Sequence, residues 1–478
     1  MAGTKKNFLW NLTLTMANYI FPLLTYPYIT RVLGVTKIGL CNYVDSIINY
    51  FVLFASLGVA SLGIREVAKN KNDKESLSVI FSSLISFNVI LTIVSIITLI
   101  ILTYTVNFFE QYKPFLLVGI LKLLFSAFLI EWLFQGLSNF RYITIRSIIV
   151  RVIYIIAIFV FVHTPNDALI YYGLTCAIIV VNSYLNCRYS RRFVKFSINN
   201  IHLKLFTSAI ISYGIYRILT SMYTSFNVIF LGSVSNNNEV GFFTTATKLY
   251  SVLMGVFSAF TAVMVPKVSE LLASHSIQEL KNIAARTFNL VYSLSIPIII
   301  ICDFYSSLII KIIAGDGYEG AVIPFRIVMS LLIVVALEQI IIQQFLMANK
   351  ESKSILILSI IGAVVGVALN IILTPTFKSI GSSISWVCSE FSILLLSIIY
   401  FRRQFGFSLS FKNLMKHIIS NIPLVLICFL LSDSVLSLKS IAGLFFAFCY
   451  FIFFNIYVLK NEILIQLISK LHLFFKRK

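Results

Sequence analysis

The chain reads as long apolar runs cut by short clusters of charge, proline and glycine. Fourteen such runs fall at 8–30, 38–63, 77–104, 114–136, 147–163, 168–187, 207–231, 240–265, 287–313, 322–347, 354–373, 379–401, 413–431 and 439–459. Each predicts a membrane-spanning helix, because about 20 apolar residues cross a hydrocarbon core about 30 Å thick. Inside lipid only helices and closed barrels satisfy every backbone donor and acceptor, and a barrel would show strands of about ten residues with alternating polarity. The predicted fold class is an all-α integral membrane protein of about fourteen transmembrane helices. Lys5 and Lys6 ahead of the first run mimic a secretion signal, but Asn7, Asn11, Thr15, Asn18 and Pro22 interrupt the run, which is kept as a helix.

The runs repeat. Leu33-Gly34 followed by Ile38-Gly39-Leu40 opens span two, and Leu231-Gly232 followed by Val240-Gly241-Phe242 opens span eight. Tyr112-Lys113-Pro114 with Lys122 and Gln135 is answered by Tyr318-Glu319-Gly320 with Arg326 and Gln344. Spans one to six thus read as duplicated in seven to twelve, and an even number of spans makes the repeat parallel. The expected organisation is a six-helix lobe over 1–206, a second over 207–405, and two further helices with a basic tail over 406–478.

Composition and charge sharpen this picture. Of 478 residues 59% are hydrophobic and 12% charged, with a mean hydropathy of +0.94. The connectors, about 13 residues on average, leave no room for an extramembrane domain of even about 50 residues. The net charge of +20 would suit nucleic acid in a soluble protein. Here 28 of the 38 Lys and Arg lie at the N-terminus, in the even-numbered loops and in the C-terminal tail, against six in the odd loops (Arg31, Lys37, Lys113, Lys311, Lys378 and Lys439). Membrane orientation accounts for that bias, places both termini in the cytoplasm and removes the case for nucleic acid.

An ionisable side chain at membrane depth is costly and marks a functional or pairing site. Span one carries Asn11, Thr15, Asn18, Pro22 and Thr25 at helical spacing, and span two carries Asn42, Asp45, Asn49 and Ser56. Both stripes suit either a wet cavity or hydrogen bonding between helices. Span seven has Arg217 with Tyr213, Ser221 and Thr224 on one face, and span eight has Lys248 below Thr244 and Thr245. A guanidinium stays charged and forms paired hydrogen bonds to phosphate oxygens, so Arg217 suits a pyrophosphate; the competing reading is an ion pair with Asp45 or Glu338. The candidate substrate-binding set is Arg217, Lys248, Arg31, Asn11, Thr15, Asn18 and Asn49. Asp45, Asp303 and Glu390 are candidates for a coupling ion, the last two as isolated acids. Lys122 and Glu131 in span four, and Arg326 and Glu338 in span ten, are too far out of register to pair with each other and are assigned to links between helices within each lobe.

Enzyme chemistry finds no footing. The five His (163, 202, 275, 417, 472) lie at span ends or in loops, and Gly315-Asp316-Gly317 lacks the Lys-Ser/Thr of a phosphate loop. The seven Cys (41, 176, 187, 302, 388, 428, 449) are scattered without metal-binding spacing. No enzyme activity, cofactor or metal is expected.

Tyr26-Pro27-Tyr28-Ile29-Thr30-Arg31-Val32-Leu33-Gly34 with Ile38-Gly39, Gly63-Ile64-Arg65-Glu66-Val67-Ala68, Glu131-Trp132-Leu133-Phe134-Gln135-Gly136 and Phe140-Arg141-Tyr142 resemble the polysaccharide-transport (Wzx-type) flippases of the multidrug/oligosaccharidyl-lipid/polysaccharide exporter superfamily. The resemblance implies two lobes around a cavity lined by spans one, two, seven and eight, in a bacterial cytoplasmic (inner) membrane. It implies transfer of undecaprenyl-pyrophosphate-linked oligosaccharide to the periplasmic leaflet for O-antigen, lipopolysaccharide, capsule or exopolysaccharide. Its partners would be that lipid-linked oligosaccharide, membrane lipids, a polysaccharide polymerase and a chain-length regulator. A multidrug or cation antiporter of the same superfamily would want an acidic cavity, and only Asp45 offers acid on those four spans. A glycan polymerase or glycosyltransferase would want a large outer loop, and no odd loop exceeds about ten residues.

Overall fold

The computed structural model describes residues 2–198, 201–274, 276–349, 351–407, 409–433 and 437–455, and every regular element among them is helical. Lys350, His275, His472 and the basic tail from Lys460 lie outside the described residues. Among the described residues ten helices are long and apolar enough to cross a membrane. That number is lower than the fourteen runs partly because two helices each carry two runs. The first, α1 (Ala2–Ser56), has 55 residues, about 82 Å at 1.5 Å per residue, far beyond one crossing. Its backbone leaves the helical region at Gly34, with φ 71° and ψ 169°, a conformation open to glycine at little cost. A second long helix, Ser352–Phe405, breaks likewise at Lys378, where φ is 51°. The carboxylate of Glu239 faces the Lys378 ammonium at 4.0 Å.

By packing, the chain forms two compact units. The first runs to Thr244 and adds Gly366–Ser382; the second comprises Thr245–Val365 and the described residues from Ser383 on. This division does not follow the boundary at 206: span seven and the opening of span eight pack with the first six.

In the first unit α1 is followed by α2 (Val59–Lys69), α3 (Lys74–Thr105), α4 (Lys113–Ser126), α5 (Glu131–Gly136), α6 (Phe140–Phe161), α7 (Ala168–Ser190), α8 (Leu203–Thr224), α9 (Phe226–Val234) and the start of α10 (Asn237–Ala273). Two of the sequence motifs clasp each other. A Cβ on Gly63 would lie 2.5 Å from the Trp132 ring, and one on Gly136 would lie 2.7 Å from Val67, so α2 and α5 are in contact at their glycines. Val59, Leu62, Val67, Leu133, Phe134 and Ile143 fill the core beneath them. Helix α6 begins at Phe140 instead of 147 and draws Arg146 into the fold. Arg146 is 4% exposed, pairs with Glu131 and donates to Asn186. One of the loop cations of the sequence reading is thus a buried partner for Glu131.

The second unit holds the rest of α10, then α11 (Ile277–Phe304), α12 (Ser306–Ala314), α13 (Val322–Met329), α14 (Leu331–Gln339), most of α15 (Ser352–Phe405), α16 (Phe411–Ser420), α17 (Ile422–Leu431) and α18 (Leu438–Phe453). Tyr305, Leu308, Leu424, Cys428 and Ala447 form a core that ties α12 to α17 and α18. A π-helical turn, Ile340–Leu346, follows α14 immediately.

Candidate functional site

A cavity of about 410 Å³ lies within the first unit, lined by Asn49, Tyr50, Val52, Leu53 and Ser56 of α1 and by Tyr216, Arg217, Thr220, Ser221, Thr224 and the following Ser225 of α8. The helices meet closely because of two glycines. A Cβ on Gly58, in the turn after α1, would sit 2.3 Å from the Ile210 carbonyl oxygen and 2.5 Å from the Tyr213 Cβ, and one on Gly214 would sit 2.9 Å from Leu57. Tyr50 adds a direct bond, its hydroxyl donating to the Ser221 carbonyl at 2.9 Å. Beyond the cavity, Arg65 donates to the Tyr213 hydroxyl at 3.2 Å.

Arg217 is one turn beyond Tyr213 and is exposed. Among the described residues its hydrogen bonding is limited to one long contact, Nη1 to the Leu57 carbonyl at 3.4 Å. Among the described residues no carboxylate pairs with it, and Asp45 and Glu338 are engaged elsewhere. Asp45 accepts from Lys122 Nζ at 2.6 Å and from Asn49 Nδ2 at 3.0 Å. Lys122, with 15% of its side chain exposed, therefore has its charge matched across α1 and α4. This leaves a guanidinium in a cavity whose other polar groups are hydroxyls and one amide, a set able to bind an anion and a sugar-like partner through hydrogen bonds.

The structure brings Arg217 and Asn49 together. The other candidates lie elsewhere. Thr15 donates to the Asn11 carbonyl at 2.9 Å, and Asn18 is exposed outside the cavity lining. Arg31 is folded back onto the Pro27 carbonyl at 2.7 Å. Lys248 belongs to the second unit, half-buried and engaged by a neighbour. Asp303 and Glu390 are not the isolated acids that the sequence suggested, because each finds a partner on another helix. Asp303 lies 3.6 Å from Arg326, which also donates to Ser306 at 2.7 Å. Glu390, 4% exposed, accepts from Trp386 Nε1 at 3.0 Å and lies beside Glu338 of another helix. Glu338 Oε2 is buried and, among the described residues, meets no N–H or hydroxyl donor. Sequence reasoning missed this carboxyl pair and the Arg146–Glu131 pair, since neither spacing nor periodicity reports which helices touch.

A profile of the polysaccharide biosynthesis protein family matches residues 4–272, more than half of the chain. The chain belongs to that family. It is 24% identical over 416 residues to a protein of Escherichia coli (strain K12) named "Putative O-antigen transporter", covering 84% of this chain and 97% of that one. A protein of Shigella dysenteriae with the same name is 25% identical over 399 residues, covering 82% and 99%. Among solved structures the chain shares its fold with one described as lipid II flippase MurJ, at a TM-score of 0.81 and 13% identity, covering 95% of this chain and 99% of the other. It also resembles a multidrug resistance MATE family transporter of the MOP superfamily, at a TM-score of 0.65 and 15% identity, covering 86% and 99%. This family member is thus a multi-pass helical membrane protein with the fold of MOP-superfamily transporters.

Proposed function

We propose that this family member is a flippase that carries undecaprenyl-pyrophosphate-linked oligosaccharide from the cytoplasmic to the periplasmic leaflet of a bacterial inner membrane, by alternating access. The observation that carries the reading is the Arg217 cavity: a cation within an apolar helix, exposed to a space lined by hydroxyls and without an acidic partner. A lipid-linked glycan brings an anionic pyrophosphate and a hydroxyl-rich sugar chain, and the cavity offers a counterpart to each. An organic cation would instead need a free carboxylate there, and the nearest acid of the lining helices, Asp45, is paired with Lys122.

The proposed architecture is fourteen crossings in a parallel six-plus-six repeat with two added helices. Its support includes contacts between positions 202 residues apart, the offset at which the repeat aligns Ile38-Gly39 with Val240-Gly241. Thr36 donates to Asn238 at 2.6 Å and Asn42 donates to Thr244 at 2.9 Å. A Cβ on Gly39 would lie 2.8 Å from the Gly241 nitrogen. Contacts between equivalent positions are what a twofold axis between two copies produces.

Energy coupling is assigned in this reading to Glu390 with Glu338. Two carboxyl groups in mutual contact need a proton between them, because both are acceptors once ionised. Trp386 Nε1 donates to Glu390 at 3.0 Å.

The deciding experiment is reconstitution in liposomes with a fluorescent lipid-linked oligosaccharide and a membrane-impermeant quencher. Protein-dependent appearance of the glycan on the opposite leaflet supports the assignment. Movement of organic cations without movement of the glycan refutes it.

A further inference from the structure

The first unit has a second cavity that shares no residue with the Arg217 site. It measures about 870 Å³ and lies between residues 81–90 of α3, the end of α7 and the connector that leads to α8, within the size range of small-molecule sites. Its wall is apolar, with Phe81, Ile85 and Val89 of α3 facing Phe128 and Val194. Ile90 also lines it and is 49% exposed, in series with exposed Ile93, Val94 and Ile97 on the same helix. The cavity therefore opens onto a face that lipid chains cover.

Its other end is cationic. Arg191 and Lys195 line it, both are exposed, and neither is in an ion pair among the described residues. The connector that bears Lys195 is fastened along α3. The backbone N–H groups of Lys195, Ser197 and His202 donate to the hydroxyls of Ser78, Ser82 and Ser83 at 3.2, 3.1 and 2.9 Å. Those bonds hold the connector at the mouth of the cavity without using either cation. Phe196 and Ile198 on the same connector are exposed, the mixture of cations and apolar side chains found where a segment rests in the headgroup region.

A soluble phosphate would use the cations and ignore the apolar wall, and a neutral lipid would fill the wall and leave the cations idle. An anionic lipid uses both. We propose that this cavity binds an anionic glycerophospholipid, with its phosphate at Arg191 and Lys195 and an acyl chain along Phe81, Ile85 and Val89. Basic pockets between membrane helices bind such headgroups, and each basic residue near the surface strengthens binding about fivefold.

Native mass spectrometry of the full chain in detergent micelles tests this, with phosphatidylglycerol, phosphatidylcholine and glycerol 1-phosphate titrated separately. Phosphatidylglycerol should be retained about 25-fold better than phosphatidylcholine, and glycerol 1-phosphate should not be retained. The double variant R191Q/K195Q should lose the preference while melting like the parent, since both residues are exposed and unpaired; S86W should weaken retention of phosphatidylglycerol by filling the cavity. Equal retention of the two lipids overturns the proposal, as does a preference that survives in R191Q/K195Q. Saturable binding of glycerol 1-phosphate as tight as that of the lipid overturns it too, by showing that the anion alone suffices.

Discussion

Arg217 differs from three other cations of the membrane helices by what it lacks. Lys122, Arg146 and Arg326 each meet a carboxylate, Asp45, Glu131 and Asp303 respectively, whereas Arg217 has a single long bond to a backbone carbonyl. Removing a partner from a buried ion pair strands a charge and costs stability. Removing Arg217 strands nothing. Arg217→Ala should therefore leave membrane abundance near that of the parent while lowering glycan flipping about ten- to a hundredfold, the range for a lost charged hydrogen bond. Arg217→Lys should retain part of the activity, because it keeps the charge and loses the paired geometry. A collapse in abundance with either variant would make Arg217 structural. Glu390 is tested by a different measurement. Glu390→Gln keeps the shape and an oxygen for Trp386 but cannot release a proton, so flipping driven by an imposed pH gradient should fall to the rate seen without a gradient. An unchanged response to the gradient removes the carboxyl pair from the coupling scheme.

At the level of elements, the position of Arg217 depends on how closely α8 approaches the end of α1. Gly58 faces the Ile210 carbonyl and the Tyr213 Cβ at distances that no added Cβ tolerates, and Tyr213 precedes Arg217 by one turn. Gly58→Ala should push α8 outward, lower the melting temperature in detergent by an amount equivalent to about 1–3 kcal/mol, the usual range for overpacking, and reduce flipping with Arg217 intact. An unchanged melting curve would mean that the turn absorbs the methyl group. Gly58 was not legible as a packing glycine, because a sequence does not say what lies opposite. The helices themselves were legible, since runs of about 20 apolar residues have one solution in lipid. The boundary of α6 was misread, as arginines near a helix start resemble loop charge; the structure uses Arg146 to match Glu131 on α5. The clasp of α2 and α5 was visible as two motifs, yet only the fold joins Gly63 to Trp132 and Gly136 to Val67. For the site, Arg217 and Asn49 were legible because polar groups stand out in apolar runs. The separation of Arg31, Asn11, Thr15 and Asn18 from their cavity was not, because a stripe at helical spacing fixes a face but not its neighbours.

For the whole molecule the expectation to test is orientation, which rests on the distribution of basic residues. The connector after α7 carries Arg191, Arg192 and Lys195 and the first turn of α8 carries Lys204, all exposed, and the segment around the end of α10 and start of α11 carries exposed Lys267, Lys281 and Arg286. Moving such charges across an energised membrane is opposed by the inside-negative potential, about 2.3 kcal/mol per charge at 100 mV, so clusters of this kind stay where they are made. Single cysteines placed at Arg192 and Lys281, in a chain whose seven native cysteines are replaced, should resist an impermeant maleimide in intact cells and react after the cells are opened. A cysteine at Lys113, in an odd connector, should react without opening the cells. These three positions are separated by odd and even numbers of crossings, so the pattern also checks the count between them. Reaction at Arg192 in intact cells would reverse the orientation, and with it the direction assigned to transport. Protection at all three would mean that one crossing between Lys113 and Arg192 is miscounted, most directly at α6, whose start moved by seven residues between sequence and structure.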